Sequence, residues 1–384
     1  MFHKMPFILL GVIFISSLLN SMIPESVQSF LFAIGMSIKS LLMFLLPFVI
    51  FGLLFKTAAQ LSKNATRILL FLLGAVCFSN FLSTMISYNV GKFVHHFDLS
   101  LALPPVKTGL QPAWEFALPK WVSNAHAMFA GLVLGIIGSI VKPSWAEKSA
   151  DRLDRIVKII LRGFILAMPL FIAGFSTKLA HDDVLVDLFR NYAQIFTVVT
   201  LALLAYICLI YWIGNRFKLS QLLSRIKNML PAAVAGFGSM SSAAAMPLTI
   251  VGVEKNSKRP EIARAIVPAT VNIHLIGDCF AIPIFAFAVL KNFGLIQPEF
   301  SAYLIFAFYF VIAKFSVAAI PGGGIIVMLP ILESHLGFNA EMMSLITALY
   351  ILFDPVITCA NVLGNGAFTM LFSNFYSRME KVVK

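Results

Sequence analysis

Four polar residues share one face of the last long apolar stretch of the chain: Asp354, Thr358, Asn361 and Asn365. Their offsets of 4, 7 and 11 align them along a helix. A carboxylate, a hydroxyl and two amides in a row can hold a metal cation, an ammonium or a carboxylate. The plainer alternative is hydrogen bonding between helices, a part that Ser, Thr and Asn often play in membranes. A second polar set lies upstream in PATVNIHLIGDC, residues 268–279. There Asn272, His274 and Asp278 sit between Pro268 and Pro283, with Gly277 beside the acid. Local unwinding would free carbonyl oxygens, which are good ligands for a hard cation such as sodium. In an intact helix His274 and Asp278, at i and i+4, could pair, and the imidazole could carry a coupled proton. A purely structural His–Asp hydrogen bond is the third option. Asn80, Ser83 and Thr84 form a smaller polar group that ordinary helix packing would explain.

Two turns could bring backbone to a solute. At Pro321-Gly322-Gly323-Gly324 no side chain blocks its approach. In GFGSMSSAAAMP, residues 236–247, Ser241 and Ser242 offer hydroxyls and N–H groups at the end of a half-helix, where an anion is favoured. Each could instead be a mere flexible turn.

The elements that position these groups must lie in lipid. Of the 384 residues 59% are hydrophobic and 12% charged, with mean hydropathy +0.91. A soluble domain carries about twice that charge. The apolar runs are long and continuous, so helices rather than a barrel satisfy their backbones. They cover about 6–22, 28–55, 68–94, 126–141, 155–177, 188–213, 228–252, 262–290, 300–332 and 340–376. The stretch 95–125, with His95, His96 and five of the chain's Pro and Gly residues, reads as an extramembrane loop.

Basic residues give the orientation. Lys4, then Lys56, Lys63 and Arg67, then Lys142, Lys148, Arg152, Arg155 and Lys158 mark one side as cytoplasmic. The run 228–252 is basic at both ends and 300–332 weakly charged at both. Each reads as a re-entrant hairpin, entering from opposite sides. Hairpin then polar helix, twice and inverted, is a pointer to a transport site near the midplane. The expectation is an all-α polytopic membrane protein with eight transmembrane helices and two re-entrant hairpins, both termini cytoplasmic, and the opening segment a retained first helix, with a signal peptide as the alternative.

The net charge of +12 sits in short loops, which argues against nucleic acid as a partner. Cys77, Cys208, Cys279 and Cys359 read as buried small residues, without a disulfide or metal role. Lys39 and Lys314 are expected to snorkel or to sit near an interface, and the 37 Phe to face lipid.

The order of these features resembles the dicarboxylate/amino acid:cation symporters, the glutamate-transporter homologues. Six helices, a Ser-tipped hairpin, a helix with PATxN, a PGxG hairpin and a helix with Asp354, Thr358 and Asn361 carry the resemblance, over residues 235–370 above all. SIKSLLMFLLPFVIFGLLF, residues 37–55, is also similar. The resemblance implies a glutamate-transporter-like elevator fold in a homotrimer. Scaffold helices 1–2 would occupy 1–60, transport-domain helix 3 61–98, an extracellular or periplasmic loop 99–125, and scaffold helices 4–5 126–182. The rest of the transport domain would be 183–384, with hairpins at 228–252 and 300–332 and full helices at 262–290 and 340–376. It implies substrate contacts at Ser241, Ser242, Pro321 to Gly324, Asp354, Thr358 and Asn361. With Asp278 added from the residue reading above, cation contacts would fall at Asn272, His274, Asp278, Asn361, Asn365, Ser83 and Thr84, with no metal beyond sodium and no cofactor other than a coupling sodium ion or proton.

The departures from the family pattern are informative. NIHLI, residues 272–276, replaces NMDGT, so His274 stands at a cation-binding Asp. Asn365 stands at a second. Ile357 stands where an Arg reads an acidic side chain, and Met240 at an alternative Arg position. A small amino acid with a neutral side chain fits best, a dicarboxylate by family habit. Coupling to sodium, with fewer ions, or to protons is expected, in the cytoplasmic (inner) membrane, with a small-molecule substrate and the bilayer as partners. A channel or transport-deficient homologue is the alternative. An intramembrane aspartyl protease using Asp278 and Asp354 is remote, because its two acid signals occur here in reversed order.

Overall fold

The computed structural model describes residues 11–12, 15–16, 18–19, 22–63, 67–96, 109–119, 121–181, 184–257, 259–317 and 322–383. Among these, every regular element is helical. Of the first expected segment, 6–22, the described residues 11–12, 15–16 and 18–19 are helical and the others, apart from 22, lie outside the described residues. Five long helices follow: α1 (Glu25–Lys63), α2 (Arg67–His96), α3 (Asn124–Val141), α4 (Pro143–His181) and α5 (Val184–Gly214). His95 and His96 close α2 rather than opening the loop after it. Residues 109–119 of that loop lie along α1, where the Trp114 indole donates to Ser37 Oγ at 3.0 Å and Leu118 N–H to Ser40 Oγ at 2.8 Å.

From there on helices come in broken pairs. A short turn, Leu219–Gln221, leads into α6 (Leu222–Ser239), which α7 (Ser242–Asn256) follows directly. Met240 ends α6 in the left-handed region, at φ 49°. Ser241 is extended, and its Oγ accepts from Ala244 N–H at 3.3 Å, which caps α7. The two run back to back: Asn256 accepts from Asn228 Nδ2 and donates to the Arg225 carbonyl, each at 2.9 Å. The segment expected at 262–290 is α8 (Pro260–Thr270) and α9 (Ile276–Asn292), with 271–275 between them unwound. The segment expected at 300–332 is α10 (Phe300–Lys314) and α11 (Gly323–Leu336). Gly322, at φ 72°, starts α11 in a conformation that a side chain resists. Last, α12 (Ala340–Val383) runs unbroken through Pro355, past the expected end at 376.

Two groups of helices result. In one, α1 packs against α3 and α4; in the other, α9 is the hub, packed on α2, α5 and α12, while the first hairpin packs on α12 and the second on α2, α9 and α12. Residues 276–290 are all buried. Large apolar side chains elsewhere face outward, among them Phe78, Ile140, Ile159 and Leu201. Three helical stretches, Phe71–His96, Tyr192–Gly214 and Glu341–Tyr376, are long and apolar enough to cross a membrane among the described residues, beside shorter apolar ones.

Three expectations need correction. Phenylalanine is as much core as lipid surface: Phe280, Phe285, Phe287, Phe306, Phe310 and Phe338 are fully buried, because the hub helix needs bulk on every side. Of the four cysteines only Cys279 is buried: Cys208 on α5 is exposed, and Cys77 and Cys359 are half-buried. Lys314 does not snorkel: its exposure is 0%.

Candidate functional site

The Asp354 stripe is buried whole and holds the broken helices together. Asp354 Oδ2 accepts from Gly322 N–H at 3.1 Å, and Oδ1 accepts from the Thr358 hydroxyl at 3.1 Å. The first turn of α11, at the tip of the second hairpin, is thus capped by the carboxylate of α12, as the free N–H groups of a helix start require. One turn on, Asn361 Oδ1 accepts from Gly277 N–H at 2.8 Å, and its Nδ2 donates to Asp278 Oδ2 at 2.7 Å. Another turn on, Asn365 Oδ1 accepts from the Thr270 hydroxyl at 2.7 Å. Thr270 ends α8, whereas Gly277 and Asp278 open α9, so the stripe clasps both sides of the unwound segment.

The opposite side of that segment is held by α2. Asn80 Nδ2 donates to the Ile273 carbonyl at 2.7 Å, and Asn80 Oδ1 accepts from Leu275 N–H at 3.2 Å. A single buried amide replaces two ladder bonds that the unwinding costs. His274 Nε2 lies 2.8 Å from Ser79 Oγ, and its ring stacks on Phe368 at 4.3 Å between centroids. His274 therefore does not pair with Asp278: the helix that would align them is broken at that point.

Asp278 has other partners. Its Oδ1 accepts from the Tyr350 hydroxyl at 2.8 Å and lies 3.3 Å from Lys314 Nζ. All three side chains are buried. Gly324 packs against this cluster so closely that an added Cβ would overlap Asp278 Oδ1 and the Tyr350 hydroxyl.

Other expected residues lie at varied distances from the stripe. Ser83 and Thr84 are buried, but their hydroxyls bond back to carbonyls of α2, at Ser79 and Asn80. Ser242 is buried and Ser241 half-buried at the first tip. What brings that tip toward the stripe is Gly236 of α6, packed on Thr358 and Val362. Asn272 is exposed, apart from the cluster its neighbours make. Gly323 lies buried in the first turn of α11. Pro321 lies outside the described residues. Among the described residues no three of His, Cys, Asp and Glu converge. A cation here would meet carbonyl, amide, hydroxyl and single carboxylate oxygens, a donor set for hard ions.

The sequence reading missed Tyr350 and placed Lys314 outside the site. Tyr350 had a signal, since the stripe continues upstream at the same spacing through Tyr350 and Thr347 and downstream to Thr369, all buried. Lys314 had none, because its partner lies on another helix.

The comparison with known proteins fits this architecture. Residues 123–375 match the model of the sodium:dicarboxylate symporter family, about two thirds of the chain. The chain belongs to that family. It is therefore a multi-pass membrane protein of a transporter family and not an enzyme. Among curated proteins it is 25% identical over 142 residues to an excitatory amino acid transporter of Onchocerca volvulus, covering 37% of this chain and 28% of that one. It is 28% identical over 144 residues to excitatory amino acid transporter 1 of Ambystoma tigrinum, covering 37% and 26%. The matched stretch spans about a quarter of the length of these relatives.

Proposed function

We propose that this family member is a cation-coupled symporter of a small amino acid, or by the family's name a dicarboxylate, in the cytoplasmic membrane of a bacterium. The observation that carries the reading is the Gly322 N–H on Asp354 Oδ2 at 3.1 Å. A glycine-rich tip lies on a buried carboxylate between interrupted helices, the arrangement in which a solute displaces protein contacts at the midplane. An ammonium group competes for Asp354 and lifts the tip. A carboxylate takes the second amide proton of Asn361, which Asp278 leaves free, and N–H groups near Ser241 and Ser242. Ile357 is buried beside the stripe and offers nothing to an acidic side chain, which favours a neutral one. The names of the relatives support an amino acid over a diacid.

In the proposed mechanism α1, α3 and α4 form the static, trimer-forming scaffold. The hub group moves past them as the elevator, with the Gly322 tip as its gate. The separate packing of the two groups supports that division. Coupling falls to sodium or to protons. Thermal stabilisation by ligands tests the site: neutral amino acids should raise Tm by mass action, and Asp354→Asn should abolish that response while sparing any response to diacids. A wild-type protein that responds to no amine would overturn the assignment.

A further inference from the structure

Among the described residues, the Asp278–Lys314 pair is the buried charge balance that the transport reading does not use. Lys314 is the last residue of α10, and Asp278 lies in the first turn of α9. Both are sealed from solvent, at 0% and 1% exposure. The ammonium lies 3.3 Å from Asp278 Oδ1 and 4.5 Å from the centroid of the Phe310 ring. That is ion-pair distance, but off the line of a hydrogen bond, and among the described residues no acceptor takes its protons. Asp278 is meanwhile held by Tyr350 and Asn361. A buried charge needs a partner, and a half-helix C-terminus in an interrupted helix is where a transported cation is favoured. Here the chain supplies one covalently.

We infer that the Lys314 ammonium is a built-in counter-ion, filling a position beside Asp278, Tyr350 and the start of α11 that a mobile cation would otherwise occupy. This locus then contributes no sodium to the coupling stoichiometry. The inference rests on the transport reading for its meaning, but not for its test. It also accounts for how Asp278 survives at this depth in a chain whose other expected carboxylates, at His274 and Asn365, are gone. Removing the ammonium leaves Asp278 uncompensated beside the Tyr350 oxygen, a hard-oxygen site of the size of the lost head group.

The test compares Tm in sodium and in equimolar choline for the wild type, Lys314→Met and Lys314→Met/Asp278→Asn. Lys314→Met should gain a sodium-dependent rise in Tm beyond any in the wild type, and the double variant should lose it. No gain in Lys314→Met, or a gain that persists in the double variant, overturns the inference. Hydrogen exchange of the wild type covers the case in which Lys314→Met does not fold. The amides of 276–280, the turn that carries Asp278, should exchange alike in both salts, and sodium-dependent protection confined to that turn contradicts a filled site. These readouts need no transport, so a protein that carries nothing in liposomes would sink the proposed function and leave this result standing.

Discussion

Asn80→Ala probes how the break in the hub helix is paid for in hydrogen bonds. The native amide satisfies the Ile273 carbonyl at 2.7 Å and Leu275 N–H at 3.2 Å, in a segment without a helical ladder. Asn80 is fully buried, so water cannot take over. Each orphaned backbone group costs about 1–3 kcal/mol. Two of them amount to about 2–6 kcal/mol, which puts Asn80→Ala among the large single-site effects. Asn80→Asp refines the argument: it keeps an acceptor for Leu275 N–H but faces the Ile273 carbonyl with a second oxygen. It should be no better than alanine. Reversible unfolding in detergent, or the fall in Tm of several degrees beside an exposed control such as Lys148→Gln, measures the effect. A loss below about 0.5 kcal/mol for Asn80→Ala, the range of an ordinary surface change, would refute the idea that this amide holds the break open.

Two further outcomes follow from the geometry. Gly324→Ala should stop hairpin closure, because the methyl group overlaps Asp278 and Tyr350; overpacking of this kind costs about 1–3 kcal/mol, and ligand-induced Tm shifts should vanish while the protein still inserts and folds. At the basic end of α4, outside the expected span, Asp154 pairs with Lys56 at 2.9 Å and Lys158 at 2.7 Å. Partial burial pushes its carboxyl up, but the hydrogen bonds and charges of the two lysines outweigh that and hold it below the usual range. A lowered folded value means that the stabilisation is present above the unfolded pKa of about 3.9 and disappears as pH falls through the folded value. Asp154→Asn should therefore lower Tm slightly at pH 7, by an amount equivalent to less than about 1 kcal/mol, and the difference should close below the folded pKa.

Local chemistry made much of this fold legible. The small, polar, Pro-stopped run around Ser241 and the PGGG turn marked both hairpins, and the chain does turn left-handed there, at Gly322, a type that favours it, and at Met240, a type that does not. Pro268 and Pro283 with Gly277 marked the unwound segment. The spacing of Asp354, Thr358, Asn361 and Asn365 marked one buried face. What stayed hidden was long-range pairing. Periodicity offers Asp278 only a neighbour on its own helix, and it offered His274; the true cation, Lys314, is on α10. Ser79 and Asn80 likewise gain their role only once α2 lies against the break. Burial of the phenylalanines was illegible because composition cannot separate a lipid-facing ring from a core ring when both surroundings are apolar.

The central claim is that a solute binds at Asp354 and is moved uphill. Purified protein in liposomes, given an external labelled neutral amino acid and an inward sodium or proton gradient, should accumulate it above the outside concentration, and Asp354→Asn should not. Uptake that levels off at equal concentrations, or accumulation that Asp354→Asn leaves intact, would contradict the account.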